Sequence, residues 1–158
     1  MNNLFKPEDT VILIVDDLKQ NLKLLNIILE NNNYQTSLAL CGRDAIERLK
    51  VLTPDLILLD LMMPDMSGLE VCQVIKTDKK YQHIPIIFLT ASQEETHLTE
   101  AYRLGASDYV TKPFRKAELL ARINTQLTIT SQNKYIHQLK NDISQLQEQI
   151  DREETVGK

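Results

Sequence analysis

The chain has 158 residues, 42% hydrophobic and 25% charged, with four Gly and five Pro; that is about one domain's worth of chain, too apolar for a disordered segment and too poor in Gly and Pro for a linker. A net charge of −4 argues against a nucleic-acid-binding surface spread over the molecule, and only two cysteines, Cys41 and Cys72, exclude a disulfide scaffold and point to a reducing compartment. No apolar run approaches the roughly 18–20 residues of a membrane span, and Met1–Lys6 holds no signal-peptide core.

In chain order, the apolar run Val11–Val15 predicts a strand. Leu18–Glu30 follows with Leu22, Leu25, Ile28 and Leu29 on one helical face. Tyr34–Leu40 is a weaker strand candidate, and Arg43–Leu52 a helix with Ala45, Ile46 and Leu49 on one face. Then come a strand at Leu56–Leu59, a helix at Leu69–Thr77, a strand at Ile84–Leu89 and a helix at Glu94–Leu104 stopped by Gly105. A short strand at Ser107–Val110 precedes a helix starting near Arg115. Near-continuous runs of branched residues are the signature of strands buried on both faces of a parallel sheet. Strands alternating with helices predict an α/β, doubly wound, five-stranded parallel sheet. The closely spaced hairpins of a sandwich or barrel are missing.

From Arg115 no breaker occurs until Gly157. Leu119, Leu120, Ile123 and Leu127 would pack on the sheet. A second pattern then runs through Ile129, Gln132, Ile136, Leu139, Ile143, Leu146 and Ile150, in alternating steps of three and four. With Ile at a and Leu at d it reads as the seam of a parallel two-stranded coiled coil; the rival is an amphipathic helix folded back on its own domain. Residues 1–114 carry a net −5 and residues 115–158 a net +1. The expected organisation is a globular domain over 1–127, a coiled-coil dimerisation helix over 128–152 and a disordered tail over 153–158.

In an open parallel sheet, sites form beyond the carboxyl ends of the strands. Asp16, Asp17, Asp60, Thr90 and Lys112 all stand at such ends. Three carboxylates in one crevice repel unless a cation neutralises them, and a hard divalent cation, Mg²⁺ above all, suits oxygen donors. An ammonium and a hydroxyl beside it suit a phosphoryl group, with Asp60 as a carboxylate nucleophile. Singly, each has a plainer reading: an Asp after a strand caps a helix or forms a turn, Thr90 is a helix cap, and Lys112 is a solvated charge.

The strings Ile12–Asp17, Pro54–Gly68, Pro85–Ala91, Gly105–Val110 and Thr111–Phe114 resemble the receiver domain of two-component response regulators, in order and at family spacing over about residues 10–127. The resemblance implies a flavodoxin-like (CheY-like) fold with strand order 2-1-3-4-5. It makes Asp60 the phosphoacceptor, and Asp17, Asp60 and the backbone carbonyl of Met62 the direct Mg²⁺ ligands, with Asp16 at or just outside the ion's coordination. It also makes Thr90 the switch hydroxyl, Lys112 the phosphoryl-binding cation held by a cis bond to Pro113, Ala91 the small neighbour and Tyr109 the aromatic switch residue. A half-buried tyrosine on an edge strand is the plainer reading of Tyr109.

The function so implied is a cytoplasmic, bacterial phosphoprotein rather than an enzyme, catalysing only its own phosphorylation and dephosphorylation. The implied partners are a sensor histidine kinase or phosphotransfer protein, a second copy through the parallel coiled coil, and an output domain beyond residue 158, with no direct nucleic-acid contact. Two alternatives stay open: a constitutive coiled-coil dimeriser with a silent receiver, and a Mg²⁺-dependent phosphatase using an aspartyl phosphate. His83, His97 and His137 lack partners at ligand spacing and read as solvated surface. Cys41 and Cys72 read as packing thiols, and the side chains of Met62, Met63 and Met66 as packing or shielding groups near the site.

Overall fold

β1 (Val11–Val15), β2 (Gln35–Ala39), β3 (Leu56–Asp60), β4 (Ile86–Ala91) and β5 (Asp108–Lys112) form one parallel sheet in the order β2-β1-β3-β4-β5. The computed structural model describes residues 4–91 and 95–157; the expected helix start at Glu94 falls outside them. The helices are α1 (Lys19–Glu30), α2 (Gly42–Val51), α3 (Gly68–Thr77), α4 (Glu95–Arg103) and α5 (Lys116–Val156), preceded by a 3₁₀ turn at Pro7–Asp9. The expected doubly wound architecture is therefore the observed one.

Strand alternation splits the core in two. Leu13, Val15, Ile57, Leu59, Ile86 and Phe88 face one layer with Ala45, Leu49, Val71, Cys72 and Ile75. Ile12, Ile14, Leu56, Leu58, Ile87 and Leu89 face the other, with Leu22, Leu25, Leu29, Leu119 and Ile123. Burying each such side chain stabilises the fold by about 1.5–3 kcal/mol, which explains why the central strands read as unbroken apolar runs. β2 is an edge strand, and its Gln35, Thr36 and Ser37 are not buried.

Helix ends follow local chemistry. Ser67 and Glu70 form a reciprocal capping box at the start of α3, with bonds of 3.3 and 3.0 Å. Gly105, at φ +106°, ends the turn after α4 in a conformation that favours glycine. Cys41 departs from the expected packing role: it is exposed, and its Sγ accepts from the Asp44 N–H at the start of α2. Cys72 is buried as expected, and burial pushes its thiol up to about 11.

α5 is a single 41-residue helix, about 62 Å long at 1.5 Å per residue. Its buried residues end at Leu127. The apolar seam residues beyond it are 42–64% exposed, so the seam face does not pack on its own domain. The expected disordered tail over 153–158 is corrected over 153–157, where helix continues to Val156 with Gly157 as C-cap; Lys158 lies outside the described residues. Glu153, Glu154 and Thr155 contain no breaker, and the Thr155 hydroxyl donates to the Asp151 carbonyl at 2.8 Å. Among the described residues no helix is long and apolar enough to cross a membrane.

Candidate functional site

Register brings the acids together. Val15 pairs with Leu59 across β1 and β3, so Asp16 and Asp60 emerge side by side where the sheet order reverses. Ligand crevices form at such a switch point. Asp60 pairs with Leu89 on β4, and Ala91 with Lys112 on β5, which sets Thr90 and Lys112 along the same rim. Asp16, Asp17 and Asp60 each offer a carboxylate oxygen, all within 4.8 Å of one another.

The Lys112 ammonium lies 3.0 Å from Asp60 Oδ1 and 3.3 Å from Asp16 Oδ2. Asp16 is fully buried and Asp60 nearly so. Burial, reinforced by the negative charge of Asp16 and a hydrogen bond with Asp17, outweighs Lys112 and raises the Asp60 carboxyl to about 7. Burial works against the Lys112 ammonium, yet its hydrogen bond and charge pairing with Asp60 and Asp16 raise its pKa on balance. Negative charge is thus undercompensated here even with the lysine in place. The donors are all hard oxygens, a set that fits Mg²⁺ rather than a soft or nitrogen-seeking metal.

Thr90 is buried within β4, and its hydroxyl donates to the Ala91 carbonyl at 3.0 Å. Lys112 is the last residue of β5, followed by the cis Lys112–Pro113 peptide. Met62 lies in the loop after β3 with its side chain 53% exposed, whereas Met63 is buried and Met66 packs on the core. The Tyr109 ring meets Tyr102 edge-on at 6.2 Å, and the Arg122 guanidinium lies 5.6 Å from its centroid. His83, His97 and His137 are exposed.

Three supporting residues escaped the sequence reading. Asn21 on α1 donates to Asp16 Oδ2 at 3.1 Å, while the Leu18 N–H donates to Oδ1 at 2.9 Å, so Asp16 makes a turn as well as lining the site. Arg122 on α5 grips both oxygens of Asp108 at 2.8 and 2.9 Å, tying α5 to β5 beside Tyr109. Gly68 presses on the end of β3, where an added Cβ would lie 2.2 Å from the Asp60 carbonyl oxygen. Asn21→Ala is expected to cost about 1–2 kcal/mol in urea unfolding, because a buried carboxylate loses a donor; a change below about 0.3 kcal/mol would show that water replaces it.

The model of the response regulator receiver domain matches residues 12–124. The DNA-binding response regulator MtrA of Mycolicibacterium smegmatis is 39% identical over 116 residues, covering 73% of this chain and 50% of that protein. The transcriptional regulatory protein ResD of Bacillus subtilis is 40% identical over 129 residues, covering 82% and 52%. The chain spans about half the length of these curated relatives. Among solved structures, the signal receiver domain of a signal transduction histidine kinase from Syntrophus aciditrophicus superposes with a TM-score of 0.71 at 34% identity, covering 75% of this chain and 90% of that one. A two-component response regulator from Clostridium difficile gives 0.70 at 30% identity, covering 75% and 95%.

The relatives' names correct one expectation, that of no direct nucleic-acid partner: MtrA is named as DNA-binding and ResD as a transcriptional regulator. That expectation rested on an average charge of −4. A charge averaged over a chain half as long as such relatives does not constrain what they bind.

Proposed function

Because the chain belongs to the response regulator receiver domain family, we propose that it is a phosphorylation-controlled switch in which Asp60 accepts a phosphoryl group from the phosphohistidine of a partner histidine kinase or phosphotransfer protein. The observation that carries this reading is the Asp16, Asp17 and Asp60 cluster with the Lys112 ammonium 3.0 Å from Asp60. Asp17, Asp60 and the Met62 carbonyl would hold Mg²⁺, with Asp16 alongside. Bound there, the ion would neutralise the carboxylates and the incoming phosphoryl oxygens.

The protein's own groups do the rest. An Asp60 carboxylate oxygen attacks phosphorus, the P–N bond to the donor histidine breaks, and an acyl phosphate forms that water later hydrolyses. Lys112, already paired with Asp60, takes one phosphoryl oxygen. The Thr90 hydroxyl turns from the Ala91 carbonyl to another, with Ala91 leaving room. That movement biases Tyr109, held between Tyr102 and Arg122, and through Arg122 it reaches α5. The switch acts in the cytoplasm, catalyses nothing beyond its own phosphorylation and dephosphorylation, and is read out through a second copy held by α5. DNA binding, the class in the MtrA name, is the proposed downstream output.

Incubation with acetyl phosphate and Mg²⁺ is expected to add one hydroxylamine-labile phosphate per chain, and none to Asp60→Asn. Equal labelling of that variant would remove Asp60 from the reaction.

A further inference from the structure

Beyond Leu127, α5 presents Ile129, Ile136, Leu139, Ile143, Leu146 and Ile150, all 42–64% exposed. The face turned toward the globule is a different one. Ser131, Lys134 and Gln138 line a cleft against Phe5 and Asp55, roughly 140° around the helix from the seam at 3.6 residues per turn, with Tyr135 at the edge of the cleft nearer the seam. A second helix therefore reaches the seam without meeting its own domain.

The polar residues on and beside the seam discriminate between orientations. In a parallel, in-register pair every layer is homotypic: Gln132 meets Gln132, each amide able to donate and accept, and the one like-charge layer, Glu153 on Glu153, falls in the exposed last turns of α5. The flanking g-to-e contacts set Tyr135 near Lys140, Asp142 near Gln147 and Gln149 near Glu154, with no like charges opposed. In an antiparallel pair, a residues meet d residues. The alignment that keeps Ile136 on Leu146 and Leu139 on Ile143 buries Gln132 against Ile150 and sets Ile129 against Glu153. It also faces Asp142 with Asp142 and Lys140 with Lys140. Sliding by one heptad either way strands Ile129 or Ile150. Unpaired amides and opposed like charges both disfavour association.

We propose that the α5 seam takes a second copy of this chain in parallel and in register, with the Gln132 layer and the Lys140 and Asp142 flanks rejecting the antiparallel arrangement. This rests on reading residues 128–152 as a dimerisation helix. Both receivers would then sit at one end of the coiled coil, delivering their α5 movements together.

The test uses the full chain with Cys41→Ser, which keeps an acceptor at the α2 cap, and leaves the buried Cys72 in place. Gln132→Cys and Ile150→Cys are each added separately. In the parallel pair each variant is expected to oxidise to a self-disulfide in most of the protein, and a mixture of the two to give no enrichment of the disulfide joining position 132 of one chain to position 150 of the other. In the antiparallel pair the two thiols of the Gln132→Cys variant lie about 27 Å apart along the axis, out of disulfide reach, and the mixed disulfide dominates; that result overturns the proposed orientation. Sedimentation separates this from failure of the underlying reading. The unsubstituted chain is expected to be dimeric, with association at least tenfold weaker in Ile143→Asp. A monomer at all concentrations, or a dimer indifferent to Ile143→Asp, removes the helix as the dimerisation element.

Discussion

At pH 8, Asp60→Asn is expected to be more stable than the unsubstituted protein by on the order of 4 kcal/mol. The folded Asp60 carboxyl titrates at about 7 against 3.8 for the free group, because burial and then the Asp16 charge oppose its ionisation. Between those values the folded state holds more protons than the unfolded one. Stability contributed by the neutral carboxyl is therefore full below about pH 4, declines as pH rises to about 7, and is gone above it. The asparagine amide stands in for the neutral carboxyl at every pH and still accepts from Lys112, so the variant lacks this decline. Urea unfolding from pH 5 to 8 checks both the offset and the slope. Mg²⁺ should act in the opposite direction, stabilising the unsubstituted protein by about 2.7 kcal/mol at one hundred times its dissociation constant and the variant far less. Parallel pH profiles, or a variant weaker than the parent at pH 8, would mean that the acids do not oppose one another as their geometry implies. Strain of this kind is expected where stability yields to function.

How much of this was legible beforehand depends on whether the cause is local. β1, β3 and β4 announce themselves because alternate residues enter two cores, so no polar residue interrupts them before Asp60 and Thr90 at the carboxyl ends of β3 and β4. The acids were legible because a parallel sheet gathers its strand ends at one edge, whatever the loops do. Asn21 was not, since a polar residue in a first helical turn suits solvent equally well, and only the fold puts Asp16 against it. Arg122 finds Asp108 fourteen positions away through the docking of α5 on β5, a contact no helical spacing encodes. The end of α5 departs from the expected disordered tail because a run of charged residues reads as solvated chain, whereas Arg152, Glu153 and Glu154 are good helix formers. Residue type alone predicts a packing role for Cys41, yet it sits at an exposed helix start.

Gly68 gives the sharpest case of a residue whose reason is tertiary, and Gly68→Ala is expected to cost about 3 kcal/mol, lowering Tm by about 6–12 °C. Its backbone is not left-handed, and as the first residue of α3 an alanine would favour helix by up to about 1 kcal/mol. Propensity alone predicts stabilisation. The opposing effect is steric: the new Cβ would lie 2.2 Å from the Asp60 carbonyl oxygen and 2.9 Å from Leu61 Cα. Both are backbone atoms at the end of a fully buried strand, and the Gly68 N–H donates to the Leu61 carbonyl at 2.9 Å, so relief requires α3 to withdraw from β3. Withdrawal breaks that bond and re-aims the Asp60 side chain, so the rate of labelling by acetyl phosphate should fall together with stability. Gly157→Ala is the control, because its nearest new contact is 3.4 Å from the Glu153 carbonyl oxygen at the helix terminus, and it should change stability by less than about 0.5 kcal/mol. A Gly68→Ala protein within about 1 kcal/mol of the parent would mean that the strand end carrying Asp60 yields readily, and with it the rigid positioning on which in-line attack by Asp60 depends.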